Sequence, residues 1–202
     1  MSVPLALTLV TDRARLPAGR SVPDLAADAA AAGIDCVQVR EKDLPDRALA
    51  ALLKAVAAAL AGSATRLVVN GRPDLATLAG ASGVQLPEDG LPPDAVRRAF
   101  PDLALGVSCH SVEAARRAAD AGADWIVLGP VFSTPGKESR ALGLETLAAA
   151  AAQVRIPVHA VGGLTPANAG RAAAAGVRGI LAIRAFVEQP VAEAVAAFRG
   201  QR

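Results

Sequence analysis

Several residues of this chain have a type and spacing that could hold a small anion. Gly162-Gly163 stands just ahead of Thr165-Pro166, an N-cap residue followed by a proline at a first helical position. Glycine lets backbone N–H groups approach oxygen atoms, and a helix start adds positive potential, so this segment suits a phosphate. The same pair would also serve a tight turn that needs positive φ. Gly129 through Lys137 comes near the phosphate-loop pattern G-x-x-x-x-G-K-[ST] and fails it. Val131 stands where the first glycine is needed, and Glu138 replaces the Ser or Thr. Lys137 then reads as a cation on a long loop. His110, beside Cys109, could move protons near neutral pH, cap a helix or brace a loop. His159 and Cys36 lie inside apolar runs and read as core residues. The two cysteines have no C-x-x-C spacing and no histidine cluster, so neither zinc nor a disulfide framework is indicated.

What must position these residues is an alternation of two textures. Short runs rich in β-branched residues and Leu occupy Leu5–Val10, Ile34–Val39, Leu67–Val69, Val84–Leu86, Leu103–Val107, Trp125–Leu128, Val158–Val161 and Ile180–Ile183. Each is followed by an Ala-rich helical stretch: Val22–Ala32, Arg47–Ala61, Pro73–Ala79, Pro92–Phe100, Val112–Ala121, Leu144–Val154, Pro166–Ala175 and Pro190–Phe198. Ser21 with Asp24 forms a capping box; Asp46 and Ser111 can cap the helices that follow them. Gly33, Gly122 and Gly176 sit where helices should stop. Strand–helix alternation with strands apolar on both faces predicts a parallel sheet covered by helices. Eight such units predict a closed (β/α)₈ barrel, the TIM-barrel fold, as a single domain over residues 1–202. An open doubly wound sheet is the alternative, but Val10-Thr11-Asp12-Arg13 after the first run lacks G-x-G-x-x-G.

In such a barrel the chemistry sits at the C-terminal ends of the strands. That rule gathers Gln38-Val39-Arg40-Glu41-Lys42, Asn70-Gly71-Arg72, Gln85-Leu86-Pro87-Glu88-Asp89, Ser108-Cys109-His110, Gly129 through Lys137, Gly162-Gly163 and Arg184 at one mouth. The expected site takes a small anionic molecule. Composition excludes several other classes. The aromatic share is 2%, too low for base-stacking platforms. The 21 basic and 19 acidic residues are interspersed, so no stripe tracks a polyanion and nucleic acid is not an expected partner. The apolar stretches are too short or too interrupted to span a bilayer, and the start lacks the pattern of a signal peptide, so a cytoplasmic protein is expected.

Seven of these segments also occur, in this order, in a known family. Leu9-Val10-Thr11-Asp12, Gln38-Val39-Arg40-Glu41-Lys42, Val69-Asn70-Gly71-Arg72-Pro73-Asp74, Gly83-Val84-Gln85-Leu86, Gly106-Val107-Ser108-Cys109-His110-Ser111, Gly129-Pro130-Val131-Phe132 and Ala160-Val161-Gly162-Gly163-Leu164 resemble the thiamine phosphate synthase and thiazole tautomerase superfamily. The resemblance implies a (β/α)₈ barrel that acts on thiazole phosphate, with a homodimer allowed. The synthase branch joins thiazole phosphate to a pyrimidine methyl diphosphate, and two aspartates serve its Mg²⁺. Those positions fall at Gly71 and Gly90 here. The tautomerase branch only moves a proton and needs no metal. Pro130 stands where a known tautomerase type has its histidine, and an Arg, Arg184, replaces the usual Ser of the last phosphate loop.

On these residues the tautomerase reading is favoured, without a cofactor. The alternative is a Mg²⁺-dependent synthase, with Glu88 and Asp89 as candidate ligands. A non-catalytic thiazole phosphate-binding protein is the third reading. His110 is the first expected proton carrier and Lys137 the second; Cys109 would need an activating neighbour, and Glu41 between Arg40 and Lys42 would be a weak base. Gln38, Arg40, Lys42, Asn70, Ser108, Thr134, Gly162, Gly163 and Arg184 are expected to bind substrate.

Overall fold

The computed structural model describes residues 5–133 and 141–200. Its strands are β1 (Ala6–Val10), β2 (Cys36–Val39), β3 (Arg66–Asn70), β4 (Gly83–Leu86), β5 (Ala104–Cys109), β6 (Trp125–Leu128), β7 (Val158–Val161) and β8 (Gly179–Ala182). All neighbours pair in parallel, and β8 pairs with β1 to close the barrel. The helices are α1 (Val22–Ala31), α2 (Asp46–Leu60), α3 (Pro73–Leu78), α4 (Pro93–Ala99), α5 (Val112–Asp120), α6 (Gly143–Gln153), α7 (Pro166–Ala174), α8 (Arg184–Val187) and α9 (Val191–Arg199). Two elements escape the sequence reading: α8, and a single 3₁₀ turn at Arg13–Arg15. Neither is long enough to carry a periodic pattern.

The helix starts follow their capping chemistry. The Ser21 side chain accepts from the Asp24 N–H, and the Asp24 carboxylate accepts from the Ser21 N–H. Ser111 accepts from the Ala114 N–H. Asp46, expected as a cap, instead lies in the first turn of α2, with Pro45 at the cap position.

Strand alternation divides the apolar residues into two populations. The larger, including Leu9, Val37, Val69, Leu86, Leu105, Leu128 and Ile180, faces outward and packs against the helices. The smaller, Val10, Val127 and Leu181 with Trp125, Val161 and Ile183, fills the barrel interior. The inner face is not apolar throughout, as the sequence reading had it. Gln38 and Gln85 are buried on it, and the Trp125 Nε1–H donates to Gln85 Oε1 at 2.9 Å. Gly106 makes room for that indole: a Cβ there would stand 2.2 Å from Trp125 Cε2. The lone tryptophan thus forms a floor on which the polar residues of the mouth are seated.

Candidate active site

The β1–β2 side of the mouth is an interlocked set of charged side chains. Glu41 is buried, and Thr11 beside it has no exposed surface. The Thr11 hydroxyl donates to Glu41 Oε1 at 2.6 Å and accepts from the Arg40 N–H at 3.0 Å. The Arg13 N–H reaches both Glu41 oxygens, at 3.1 and 3.2 Å. The Arg13 guanidinium pairs with Asp43 at 2.5 and 2.8 Å. That pair holds the Asp43 carboxyl below its usual range and pushes Arg13 up. Glu41 is therefore enclosed and is no base at the mouth. Arg40 is half-buried and Lys42 exposed, and neither side chain has a protein partner among the described residues.

Around β3, β4 and β5 the groups are mostly spoken for. The Gln38 amide lies 3.4 Å from Asn70 Oδ1, and the Gln85 amide donates to the Ser108 hydroxyl at 3.0 Å. Arg72 is taken by two carboxylates, Asp46 and Asp74; it holds the Asp74 carboxyl below its usual range, and both raise Arg72 in return. His110 is exposed, and its Nδ1 lies 2.7 Å from Glu88 Oε2, which also accepts the His110 N–H at 2.8 Å. An ionised carboxylate only accepts, so Nδ1 carries the proton in this pair. The histidine braces the β4 and β5 loops together. Cys109 is buried, and desolvation, then the nearby Glu88 charge, pushes its thiol up to about 12, which removes it as a proton carrier. Cys36 is likewise pushed up to about 12 by burial, as a core residue should be.

A Mg²⁺ site needs hard carboxylate oxygens converging on one point. No group of three or more His, Cys, Asp or Glu side chains suited to a metal occurs among the described residues. Gly71 has φ +72° with open space where a side chain would point, and Gly90 folds back on Pro87, whose Cγ would stand 2.7 Å from an added Cβ. Asp46 and Asp74 are held by Arg72, and Glu88 by His110. The donor set described here does not fit a protein-held magnesium ion. Glu88, a candidate ligand in the sequence reading, has Oε2 engaged by His110.

The β6–β8 side is made of backbone. Gly162 and Gly163 have φ +94° and +64°, successive left-handed residues. An added Cβ would meet Pro130 Cβ at 2.4 Å from Gly162, and Ser133 O at 2.6 Å from Gly163. The β6 loop is docked by Val131 N–H to Val161 O at 2.8 Å and Phe132 N–H to Gly162 O at 3.1 Å. Asn168 fixes the start of α7: its amide donates to Gly163 O at 2.8 Å, and its oxygen accepts the Thr165 N–H at 2.9 Å. The N–H groups of Gly162 and Gly163 have no acceptor among the described residues. Arg184, first residue of α8, is exposed, with Nε 3.8 Å from Glu188. Thr134 and Lys137 lie outside the described residues.

Sequence reasoning missed Thr11, Arg13 and Asp43 as parts of the mouth. Thr11 and Arg13 stand at the end of β1, where the strand-end rule would have found them had that loop been treated like the others. The pairing of His110 with Glu88 has no signal in either segment alone.

Fold and mouth together define a (β/α)₈ barrel whose mouth carries side-chain cations without a protein partner after β2 and backbone N–H groups without an acceptor after β7, among the described residues. The profile described as thiamine monophosphate synthase matches residues 7–186. A putative thiamine-phosphate synthase of Geobacter sulfurreducens is 41% identical over 191 residues, covering 93% of this chain and 89% of that protein. A thiamine-phosphate synthase of Roseiflexus sp. is 38% identical over 189 residues, covering 92% and 80%. The solved thiamine phosphate pyrophosphorylase of Pyrococcus furiosus superposes with a TM-score of 0.89 at 31% identity, covering 98% of this chain and 95% of that one. The chain belongs to the thiamine monophosphate synthase family, and by that membership it is an enzyme of the transferase type.

These relatives overturn the tautomerase expectation. It rested on glycine at 71 and 90, yet the relatives are named as synthases and none of these likenesses is to a tautomerase. Loss of two carboxylates is therefore not, by itself, a mark of the proton-transfer branch.

Proposed function

We propose that this chain couples a pyrimidine methyl diphosphate with thiazole phosphate, releasing pyrophosphate. The observation that carries the reading is the pair of anion-holding places at one mouth. Arg40 and Lys42 stand free at the end of β2, and the Gly162 and Gly163 N–H groups stand free at the end of β7. A reaction on one phosphorylated substrate needs one such place; a coupling of two needs both.

The chemistry asks little of acids and bases. The thiazole ring nitrogen forms a bond to the methylene carbon, and the carbon–oxygen bond to the diphosphate breaks. Its electron pair leaves with the diphosphate, and no proton has to move for the thiazolium to form. What the protein must do is hold two anionic molecules in line and neutralise the charge that builds on the leaving group. Arg40 and Lys42 supply that charge from donors fixed before the reaction. Gln38, Asn70 and Ser108 offer amide and hydroxyl groups beneath them for a heteroaromatic ring. Gly162, Gly163 and Arg184 hold the thiazole phosphate, with Thr134 and Lys137 assigned to the same loop side. Magnesium in other synthases neutralises the departing diphosphate; here that task falls to the protein's cations.

The test is a pyrophosphate-release assay on the purified protein with both substrates. One pyrophosphate per thiamine phosphate is expected, and none with either substrate alone. No release with the pair present would end the reading.

A further inference from the structure

We infer that Glu41 is a positioning residue for the diphosphate, acting through Thr11 on the two cations that flank it. The inference rests on the coupling reading above. A carboxylate withdrawn from water is retained where donors compensate it, and Glu41 is 6% exposed. Its donors are the Thr11 hydroxyl at 2.6 Å, the Arg13 N–H at 3.1 and 3.2 Å, and the Arg13 guanidinium at 3.5 Å. All come from the segment that follows β1. Glu41 itself belongs to the segment that follows β2.

Thr11 ties the two segments in three places. Its N–H donates to Gln38 O at 2.9 Å, its hydroxyl donates to Glu41, and the same oxygen accepts the Arg40 N–H at 3.0 Å. The backbone leading into Glu41 is thereby fixed, while the side chains of Arg40 and Lys42 keep no protein partner among the described residues. Remove the carboxylate and the Thr11 hydroxyl and Arg13 N–H lose their acceptor together. The β2 loop then gains freedom, and the diphosphate must order the loop as well as the two long side chains when it binds. The penalty falls on the diphosphate, because the Gly162 and Gly163 N–H groups make no hydrogen bond to this set among the described residues.

The experiment compares wild type with Glu41→Ala, Glu41→Gln, Thr11→Val and Thr11→Ser. Inorganic pyrophosphate is titrated calorimetrically, the KM of each substrate is measured by pyrophosphate release, and folding is followed by circular dichroism. Glu41→Ala and Thr11→Val should each weaken pyrophosphate and raise the KM of the diphosphate substrate about tenfold, the worth of one charge-assisted bond. The KM of thiazole phosphate should stay within about twofold, since distant sites act independently. Thr11→Ser, which keeps the hydroxyl, should restore wild-type values. A folded Glu41→Ala that binds pyrophosphate like wild type, or weakens both substrates alike, overturns the inference. Should Glu41→Ala not fold, Glu41→Gln and Thr11→Val decide by the same split. Wild type that binds pyrophosphate but couples nothing ends the coupling reading, and the Kd series still decides the role of Glu41. Wild type that binds no pyrophosphate ends both.

Discussion

The two sides of the barrel mouth, each proposed to hold an anion, differ in how they are built. At β1–β2 a dense set of acids and bases neutralises itself, and leaves over Arg40 and Lys42. At β6–β8 the charges are fewer: Arg184 Nε lies 3.8 Å from Glu188, whose Oε1 also accepts from Arg15 at 2.8 Å. There two left-handed glycines pack under Pro130 and Phe132 and present their own N–H groups. On the proposed reading, one side works by charge carried on long side chains that must be ordered. The other works by a backbone that is ordered already, because the β6 loop is hydrogen-bonded across it. A side-chain site can be retuned by one substitution at a time; a backbone site fails as a unit once a Cβ enters it.

The largest expected effect therefore belongs to the backbone side. Gly163→Asp places a Cβ 2.6 Å from Ser133 O, at φ +64°, and adds a repelling charge where the phosphate is to lie. Its thiazole phosphate affinity should fall by about 100-fold, close to 3 kcal/mol, as judged by calorimetry. Pyrophosphate affinity should hold within about threefold, since no hydrogen bond links Gly163 to the Arg40–Lys42 segment among the described residues. A folded variant with unchanged thiazole phosphate affinity would falsify the assignment of this side.

Arg40→Ala reverses the comparison. It removes a free cation from the charged side, and pyrophosphate affinity should drop about 10- to 100-fold, the range for hydrogen bonds to charged groups. Thiazole phosphate should be indifferent to it. If the two variants weaken both ligands equally, the mouth is a single anion site and the comparison fails.

How far the sequence could anticipate this depends on the range of the information. Eight strands and eight of the helices are visible because each is a local pattern; Trp125–Leu128 and Val158–Val161 agree with the structure residue for residue. The mouth residues are visible because strand ends follow from the strands. What is not visible is pairing. Thr11 and Glu41 are 30 residues apart, and His110 and Glu88 are 22 apart. No period links such partners, so Glu41 reads as a mouth carboxylate, and whether His110 moves protons or braces a loop stays open until the loops are brought together. The choice between branches failed for a related reason. Gly71 and Gly90 are legible as missing ligands, but the free state of Arg40 and Lys42 shows only when Arg13 and Arg72 are seen with their own carboxylates.

A third prediction separates the mouth from the floor. His159 on β7 is mostly buried, and desolvation, with the Arg66 charge behind it, lowers its pKa to about 4 from 6.5. A histidine held neutral in the fold takes up its proton more readily in the unfolded chain. Its stability is fully present above pH 6.5 and is lost as pH falls toward 4. Between pH 7 and pH 5 the fold should lose about 1–2 kcal/mol by this group, read from urea midpoints. His159→Asn should flatten that slope while leaving pyrophosphate and thiazole phosphate affinities at pH 7.5 unchanged. A slope that persists in His159→Asn assigns the acid sensitivity to other groups.

The smallest expected effect is that of magnesium, and it sharpens the charged side most. Restoring both carboxylates is not a symmetrical exercise. At Gly90 the N–H bonds back to Pro87 O at 3.0 Å, and a Cβ would strike the proline ring, so an Asp there must unmake the turn. At Gly71 the backbone is left-handed but the space is open, and Asp tolerates that conformation better than most residues. With neither carboxylate present, the proposed coupling assigns the charge on a diphosphate to Arg40 and Lys42. Pyrophosphate Kd values in excess EDTA and in excess Mg²⁺ should then differ by less than about threefold, under 1 kcal/mol. Gly71→Asp, which adds one hard oxygen donor next to Asn70, should widen that difference. Tenfold tightening by Mg²⁺ in the wild type, unchanged in Gly71→Asp, would show that the protein holds the ion with donors outside β3, and would shift the weight of leaving-group neutralisation from the two cations to the metal.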